Sequence, residues 1–279
     1  MRAVPHILVS ILLLVTVGVQ AQEVVRPVTS TYTMEVGRAH LHDTYLTPLG
    51  YDGLTTAITY RRAQAMKFNP ERWVMQLNLS AGIDYTENPA RNATMWGAGI
   101  KAGWDMVYRW ELPYGLTVGA GPGTGLNVGA LYLTRNQNNP VSAKVSWTLD
   151  ATGYLSWRTR VLDIPVNIRY QPSVLLTGVF FSQEYDELYY EIYLGNHRNL
   201  VHPAWWGNYF TMDNLVSADL RFGGTWLTVG YHNTIVSTKV SEITTRITTH
   251  AFVIGISGEW LSLGRGALPS ATSKIISAY

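Results

Sequence analysis

The reactive side chains of this sequence concentrate in residues 182–214, SQEYDELYYEIYLGNHRNLVHPAWWGNYFTMDN. His202 or His197 with Asp213 could supply a base and its orienting carboxylate, and Ser182 or Ser217 a nucleophile, the pairing that acyl hydrolysis requires. The spacing matches no hydrolytic signature. The segment is therefore expected first to be a folded external loop, anchored by Trp205 and Trp206, and only second a lipid-modifying site. His40, His42 and Asp43 in AHLHDTY form a second cluster. A zinc pair there is weaker than a polar rim segment, because two histidines alone do not make a ligand-spacing pattern. The carboxylates of 182–214 likewise lack ligand spacing, so neither a metal nor a cofactor is expected. Gly119-Ala120-Gly121-Pro122-Gly123 superficially resembles a phosphate loop. It lacks the Gly-x-Gly-x-x-Gly spacing and the strand–turn–helix context, which excludes a nucleotide site.

Composition narrows the field further. Only 14% of the 279 residues are charged, well below the roughly quarter usual for soluble domains, and the formal net charge is +2. That argues against a broad electrostatic surface for nucleic acid. The chain has no cysteine, which removes disulfides, thiolate metal sites and a cysteine nucleophile.

The elements that would position these groups begin after an N-terminal address. Residues 1–21 read MRAVPHILVSILLLVTVGVQA, a short basic start, an apolar run and small residues before Gln22. They are expected to be a removed signal peptide, the run being short of the ~20 residues a spanning helix needs. Residues 22–279 then alternate with period two, the mark of strands with unlike faces. Trp73, Met75, Leu77, Leu79, Ala81, Ile83 and Tyr85 share one face. The next stretch has opposite parity, with Trp96, Ala98, Ile100, Ala102, Trp104, Met106, Tyr108 and Trp110 together. The breaks at 112–113, 162–164 and 223–224 are short. Those at 86–93, 134–140, 182–208 and 238–242 are mostly longer.

This pattern predicts an all-β fold, a single antiparallel up-and-down transmembrane β-barrel of about ten strands, with eight to twelve allowed by regrouping. The strands are expected near 29–39, 54–65, 72–85, 94–110, 115–133, 141–161, 165–181, 209–222, 225–237 and 243–260. Asp150 to Gly153 could split the sixth strand, and 188–194 and the last ten residues could add strands. Val166, Ile168, Tyr170, Val174, Leu176 and Phe180 are expected on one apolar face.

An apolar exterior toward outer-membrane lipid is preferred over a soluble barrel with an apolar interior. Trp73, Tyr85, Trp96 and Trp110 cap apolar stripes roughly 30 Å long along the membrane normal, as girdle residues do. Closure pairs every backbone N–H and C=O that hydrocarbon would leave unsatisfied. Lys101, Asp105, Arg109, Lys144, Asp150, Arg158, Arg160, Arg169, Asp219 and Arg221 would then face inward and fill the lumen as paired charges. The glycines at 97, 99, 103 and 119–129 would make room for large inward side chains or for sharp curvature.

Four blocks, LHDTYLTPLGYDG (41–53), IPVNIRYQPSVLLTGVFFSQEYDELYYEIYLGNH (164–197), HPAWWGNYFTMDNLVSADLRFGG (202–224) and THAFVIGISGEWLSL (249–263), resemble a family of uncharacterised Bacteroidetes outer-membrane proteins. The resemblance implies one outer-membrane barrel, placed there by the assembly machinery for such barrels, with no assigned activity. The leading functional expectation is a structural or surface-interaction barrel. A narrow pore follows, and then a rim-located lipid hydrolase.

Overall fold

The computed structural model describes residues 24–183, 189–195, 198–223, 225–260 and 274–279. The expected signal peptide, His197, and part of the 182–208 loop lie outside them. After the two-residue β1 (Val24–Val25) come β2 (Val28–Asp43), β3 (Gly50–Ala65), β4 (Trp73–Glu87), β5 (Thr94–Glu111), β6 (Leu116–Leu133), β7 (Val141–Val161) and β8 (Ile164–Phe181). The short β9 (Val201–Ala204) precedes β10 (Tyr209–Phe222), β11 (Thr225–Val240) and β12 (Ile243–Trp260), and β13 (Lys274–Ile275) follows.

Seven strands from β2 to β8 and three from β10 to β12 make a closed, all-antiparallel barrel of ten. The closing seam runs β8 to β10, from Val166↔Leu220 to Val174↔Met212. The paired register advances about 12 residues once around the ring. At ~3.3 Å per residue and ~4.8 Å between strands, this gives a tilt of about 40° and a backbone radius of about 10 Å. Both ends of the described chain, β1 and β13, lie at one end, here called proximal. β9 and a helical turn at Tyr189–Tyr193 lie in the largest connection, at the distal end. That turn stands where a strand was one reading of 188–194.

The faces follow parity. Ile58, Ile83, Ile100, Leu126, Trp147, Phe252 and Ile256 are exposed outward, while Thr31, Glu35, Thr59, Arg169, Ser217 and Asp219 are buried inward. Outside, Trp73 pairs with Tyr108 near the proximal end, and Tyr85 with Trp96 and Tyr132 near the distal end. Trp73–Tyr108 and Tyr85–Trp96 both meet edge to face, with centroids 5.2 and 4.9 Å apart.

Three local expectations give way to the structure. β7 runs unbroken through Asp150–Gly153, and the irregularity there is a register shift at Leu149/Asp150 against β8. The extra residue on β8 leaves both Leu176 and Thr177 exposed and reverses parity beyond them, so Phe180 turns inward and is buried. The 238–242 break contracts to a turn at 241–242, because β11 continues to Val240.

Candidate functional site

The inner faces of β2 and β11 carry threonine, glycine and apolar residues, apart from Asp43 at the distal end of β2 and one ionisable residue at mid-strand in each, Glu35 and His232. These two meet at mid-barrel: His232 Nδ1 is 2.7 Å from Glu35 Oε2. On its other side, His232 Nε2 is 3.4 Å from Asp213 Oδ1, which projects from β10. Arg61 Nη2 extends the chain to Glu35 at 3.3 Å, and Lys101 Nζ extends it to Asp213 at 3.7 Å. Two threonine hydroxyls complete the carboxylates. Thr59 donates to Glu35 at 2.9 Å and Thr234 to Asp213 at 2.6 Å. The result is one continuous relay, Arg61–Glu35–His232–Asp213–Lys101, drawn from five strands. Opposite charges alternate along it, which offsets the cost of holding them away from bulk water.

Both imidazole nitrogens of His232 face carboxylate oxygens. Neither is left to take a proton from a hydroxyl, so this histidine serves as a cross-link rather than as a general base in this arrangement.

Above the relay lies a cavity of about 330 Å³. Glu35, Arg61 and Asp105 line its deep end, and Lys144, Ser182 and Thr245 its distal end. Gly99 and Gly103 form bare wall, since an added Cβ would meet nothing closer than 3.5 and 3.7 Å. Lys144 reaches Asp43 at 2.6 Å and donates to Thr245 Oγ1 at 2.9 Å. Two inward apolar clusters flank the distal part, one around Leu41, Met95 and Leu131, the other around Leu175, Phe180 and Tyr209.

Below the relay the barrel is filled by its own C-terminus. Tyr279 enters the lumen and accepts a hydrogen bond from Gln76 at 2.9 Å. The Arg169 guanidinium lies 4.3 Å above its ring, and Tyr154 meets it edge to face at 5.4 Å. Arg169 also pairs with Asp219 at 2.5 Å. Arg109 donates to the carbonyls of Pro70, Glu71, Ser277 and Ala278, tying the tail to the β3–β4 connection. Lys274 pairs with Glu71, and its hydrogen bond, followed by its positive charge, holds the Glu71 carboxyl below its usual range. The terminal aromatic thus occupies the lumen; the last barrel strand ends earlier, at Trp260.

The residues singled out in the sequence fall as follows. Asp213 joins the relay, and its histidine partner is His232. His202, in β9, bonds instead to the Ser182 carbonyl at 3.1 Å and lies against Phe180. Ser217 faces inward on β10, and its buried hydroxyl has no partner among the described residues. Lys101, Asp105, Arg109, Lys144, Arg169 and Asp219 point inward. Arg158 and Arg221 are exposed at the proximal rim, with Arg221 over Trp226 at 5.7 Å. His40 and His42 lie on the outer face, whereas Asp43 is buried inside, so the three do not converge. No group of metal-holding side chains is found among the described residues. Glu35 and His232 were not singled out from sequence. Their signal was an ionisable residue at mid-strand on a face otherwise of threonine, glycine and apolar residues.

The fold is therefore a closed ten-strand barrel with an apolar exterior, a charged mid-section and a tail-filled proximal half. Residues 6–265 match the family described as "Protein of unknown function (DUF3316)", and the chain belongs to it. No curated protein matches. Among solved structures, the chain is similar to the translocator domain of autotransporter NalP from Neisseria meningitidis, at 9% identity and TM-score 0.41, covering 92% of this chain and 96% of that one. It is also similar to the beta domain of the Bordetella autotransporter Brka, at 9% identity and TM-score 0.42, with 85% and 100% covered. A third is the transport unit of autotransporter AIDA-I from Escherichia coli, at 9% identity and TM-score 0.38, with 90% and 94% covered. At these scores the likenesses carry no argument about function, and the barrel stands on its own strand pairing.

Proposed function

We propose that the protein is a bacterial outer-membrane β-barrel of structural or surface-interaction role, closed to solute flow by its own C-terminal tail. Within that reading, residues 1–21 are a removed export signal, the barrel-assembly machinery inserts the mature chain, and the source is of the Bacteroidetes, as the sequence resemblance implies. Lipid would meet the face bearing Ile58, Ile100 and Phe252. The termini would lie on the periplasmic side and the 182–208 connection outside, following the rule of short periplasmic and long external connections.

The observation that carries the closed-barrel reading is Tyr279 wedged between Arg169, Tyr154 and Gln76 in a barrel of about 10 Å backbone radius. A conducting path would have to displace all of these at once. Planar-bilayer recording of purified protein tests it, with vesicle flotation as the control for insertion. Flotation without conductance is expected. Steady single-channel currents from the intact chain would replace this reading with the pore.

A rim hydrolase is less favoured, because Asp213 is committed to His232, Thr234 and Lys101, while His202 turns to a backbone carbonyl. Acyl-ester hydrolysis that disappears in His202→Ala would restore it.

A further inference from the structure

On most of the barrel the outer face stays apolar up to the distal aromatics. On β2, β12 and β11 it does not. One paired row runs Tyr132, Trp96, Tyr85, Leu54, Arg38, His250, Asn233, Asn214, and the change from apolar to polar falls at Arg38. From there to the distal rim, the outward positions of these three strands include Arg38, His40, His42, Lys239, Arg246 and His250. Arg38 lies directly opposite His250, and Arg246 directly opposite His42. Lys239 is diagonal to Arg246 across the β11–β12 pair. As diagonal neighbours on one face, Lys239 and Arg246 are ~7–8 Å apart, where like charges repel unless something neutralises them.

Little in the protein does so. Two carboxylates border the patch: Asp52, bonded to His40 at 2.9 Å, and Glu242 in the β11–β12 turn. The side chains of Arg38, Lys239 and Arg246 have no ion-pair or hydrogen-bond partner among the described residues. Internally, by contrast, Arg61, Arg109, Lys144 and Arg169 are all partnered. Three unpaired cations on an outward face, above a shortened apolar band, call for an anion held at that height by its own apolar anchor.

We infer that the distal outer face of β2, β12 and β11 binds the phosphate groups of a phosphorylated glycolipid in the external leaflet. The acyl chains lie against Met34, Val36, Phe252 and Ile254 just below, and the phosphates meet Arg38, Arg246 and Lys239. The inference rests on the outer-membrane reading, which fixes the distal end as external.

The test uses the full mature chain, purified in mild non-ionic detergent, and native mass spectrometry of retained lipid. Three probes are offered separately: an acylated glucosamine disaccharide carrying two phosphates, phosphatidylcholine, and inorganic phosphate. The expected result is selective retention of the phosphorylated glycolipid, weakened about fivefold for each charge removed in Arg38→Gln, Lys239→Gln and Arg246→Gln. Arg135→Gln, a basic loss elsewhere at the distal end, is expected to leave it unchanged. Heat-modifiable gel mobility checks that each variant is folded. Equal retention of both lipids, or no loss in the folded triple variant, overturns the site. Full competition by millimolar inorganic phosphate overturns the lipid in favour of a free anion. A stoichiometric protein partner displaced by the triple variant overturns it in favour of a protein interface. Failure of the parent chain to float with vesicles defeats the membrane reading itself, whereas flotation without glycolipid selectivity defeats only this inference.

Discussion

His232 Nδ1 lies 2.7 Å from Glu35 Oε2, although 197 positions of chain and an entire strand separate them. β12 runs between β11 and β2, and its residue opposite His232 is Ala251, which is in turn opposite Gly37. With only a methyl group in the way, the imidazole reaches across β12. The contact depends on that small side chain as much as on the two that make it.

His232→Ala is expected to lower unfolding stability by about 1–3 kcal/mol, because it leaves the buried Glu35 with Arg61 and Thr59 alone and the half-buried Asp213 with Lys101 and Thr234 alone. Urea unfolding in detergent micelles, followed by tryptophan fluorescence, measures it. Ala251→Leu, which keeps all three charged groups but fills the gap, is expected to cost a comparable amount. If both variants unfold at the parent midpoint, the relay contributes nothing to the fold.

The barrel was legible in the sequence because one physical variable, the parity of apolar residues, decides which side of a strand meets which surroundings. It gave the ten strands to within a few residues and the outward face of Ile100 and Phe252. Parity fails where backbone geometry intervenes. The extra residue near Leu176 reversed the face of Phe180, and nothing in the side-chain pattern announces it. Pro122 and Pro172 argue against central strands, yet both sit in them, since pairing is interrupted opposite each, at Met106–Val107 and at Gly153–Tyr154. The relay was hidden for another reason. Asp213 could be chosen as an acid, but its partner is fixed by strand order, and a search near it in sequence finds His202 instead.

The glycines of β5 and β6 divide into two kinds, and substitution separates them. At Gly121 an added Cβ would stand 2.0 Å from the Met106 carbonyl oxygen, and at Gly119 2.4 Å from the Tyr154 ring. Gly121→Val is expected to abolish the folded, heat-modifiable gel band, since the obstacle is backbone and cannot swing aside. Gly103→Ala on β5, with 3.7 Å of clearance, is expected to assemble normally. A fully folded Gly121→Val would mean that β5 and β6 do not approach as closely as this.

The distal connections carry a pH-dependent hold. Burial pushes the Tyr45 phenol above its ordinary value, against the lowering effect of the hydrogen bond donated by Gln183 at 3.0 Å. Burial also raises Tyr189, whose hydroxyl accepts from the Ala143 N–H at 2.7 Å. The two rings meet edge to face, 6.2 Å apart. A phenol with a raised value in the fold favours the folded loops fully below the ordinary tyrosine value of about 10, and that preference is lost as pH rises through the raised value. Phenolate absorbance is therefore expected to appear later on alkaline titration in the parent than after the connections are cut by protease. Tyr45→Phe should remove one late-titrating group. Identical titration curves for parent, Tyr45→Phe and clipped protein would show that these rings are not held.

The tail is the most economical place to ask whether closure is built into the wall or supplied by a removable part. Arg109, Tyr154, Arg169 and Gln76 all come from barrel strands, and all turn toward the last residues of the chain. Their contacts with Tyr279 and with the Ser277 and Ala278 carbonyls are the ones that fill the proximal half. Removing residues 274–279 leaves the ten paired strands untouched, so flotation and heat-modifiability should persist. It leaves the Arg109 guanidinium with the Pro70 and Glu71 carbonyls and the Glu111 carboxylate 3.9 Å away, and uncovers the Arg169 face, so water should enter from the proximal side. Small-ion conductance is then expected to rise from silence to measurable steps in planar bilayers. Tyr279→Ala, which keeps the backbone contacts but empties the ring's place, is expected to give smaller or intermittent steps. A truncated barrel that floats and stays silent would assign closure to the Arg61–Glu35–His232–Asp213–Lys101 relay above. In that case, adding His232→Ala to the truncation should be what opens the path.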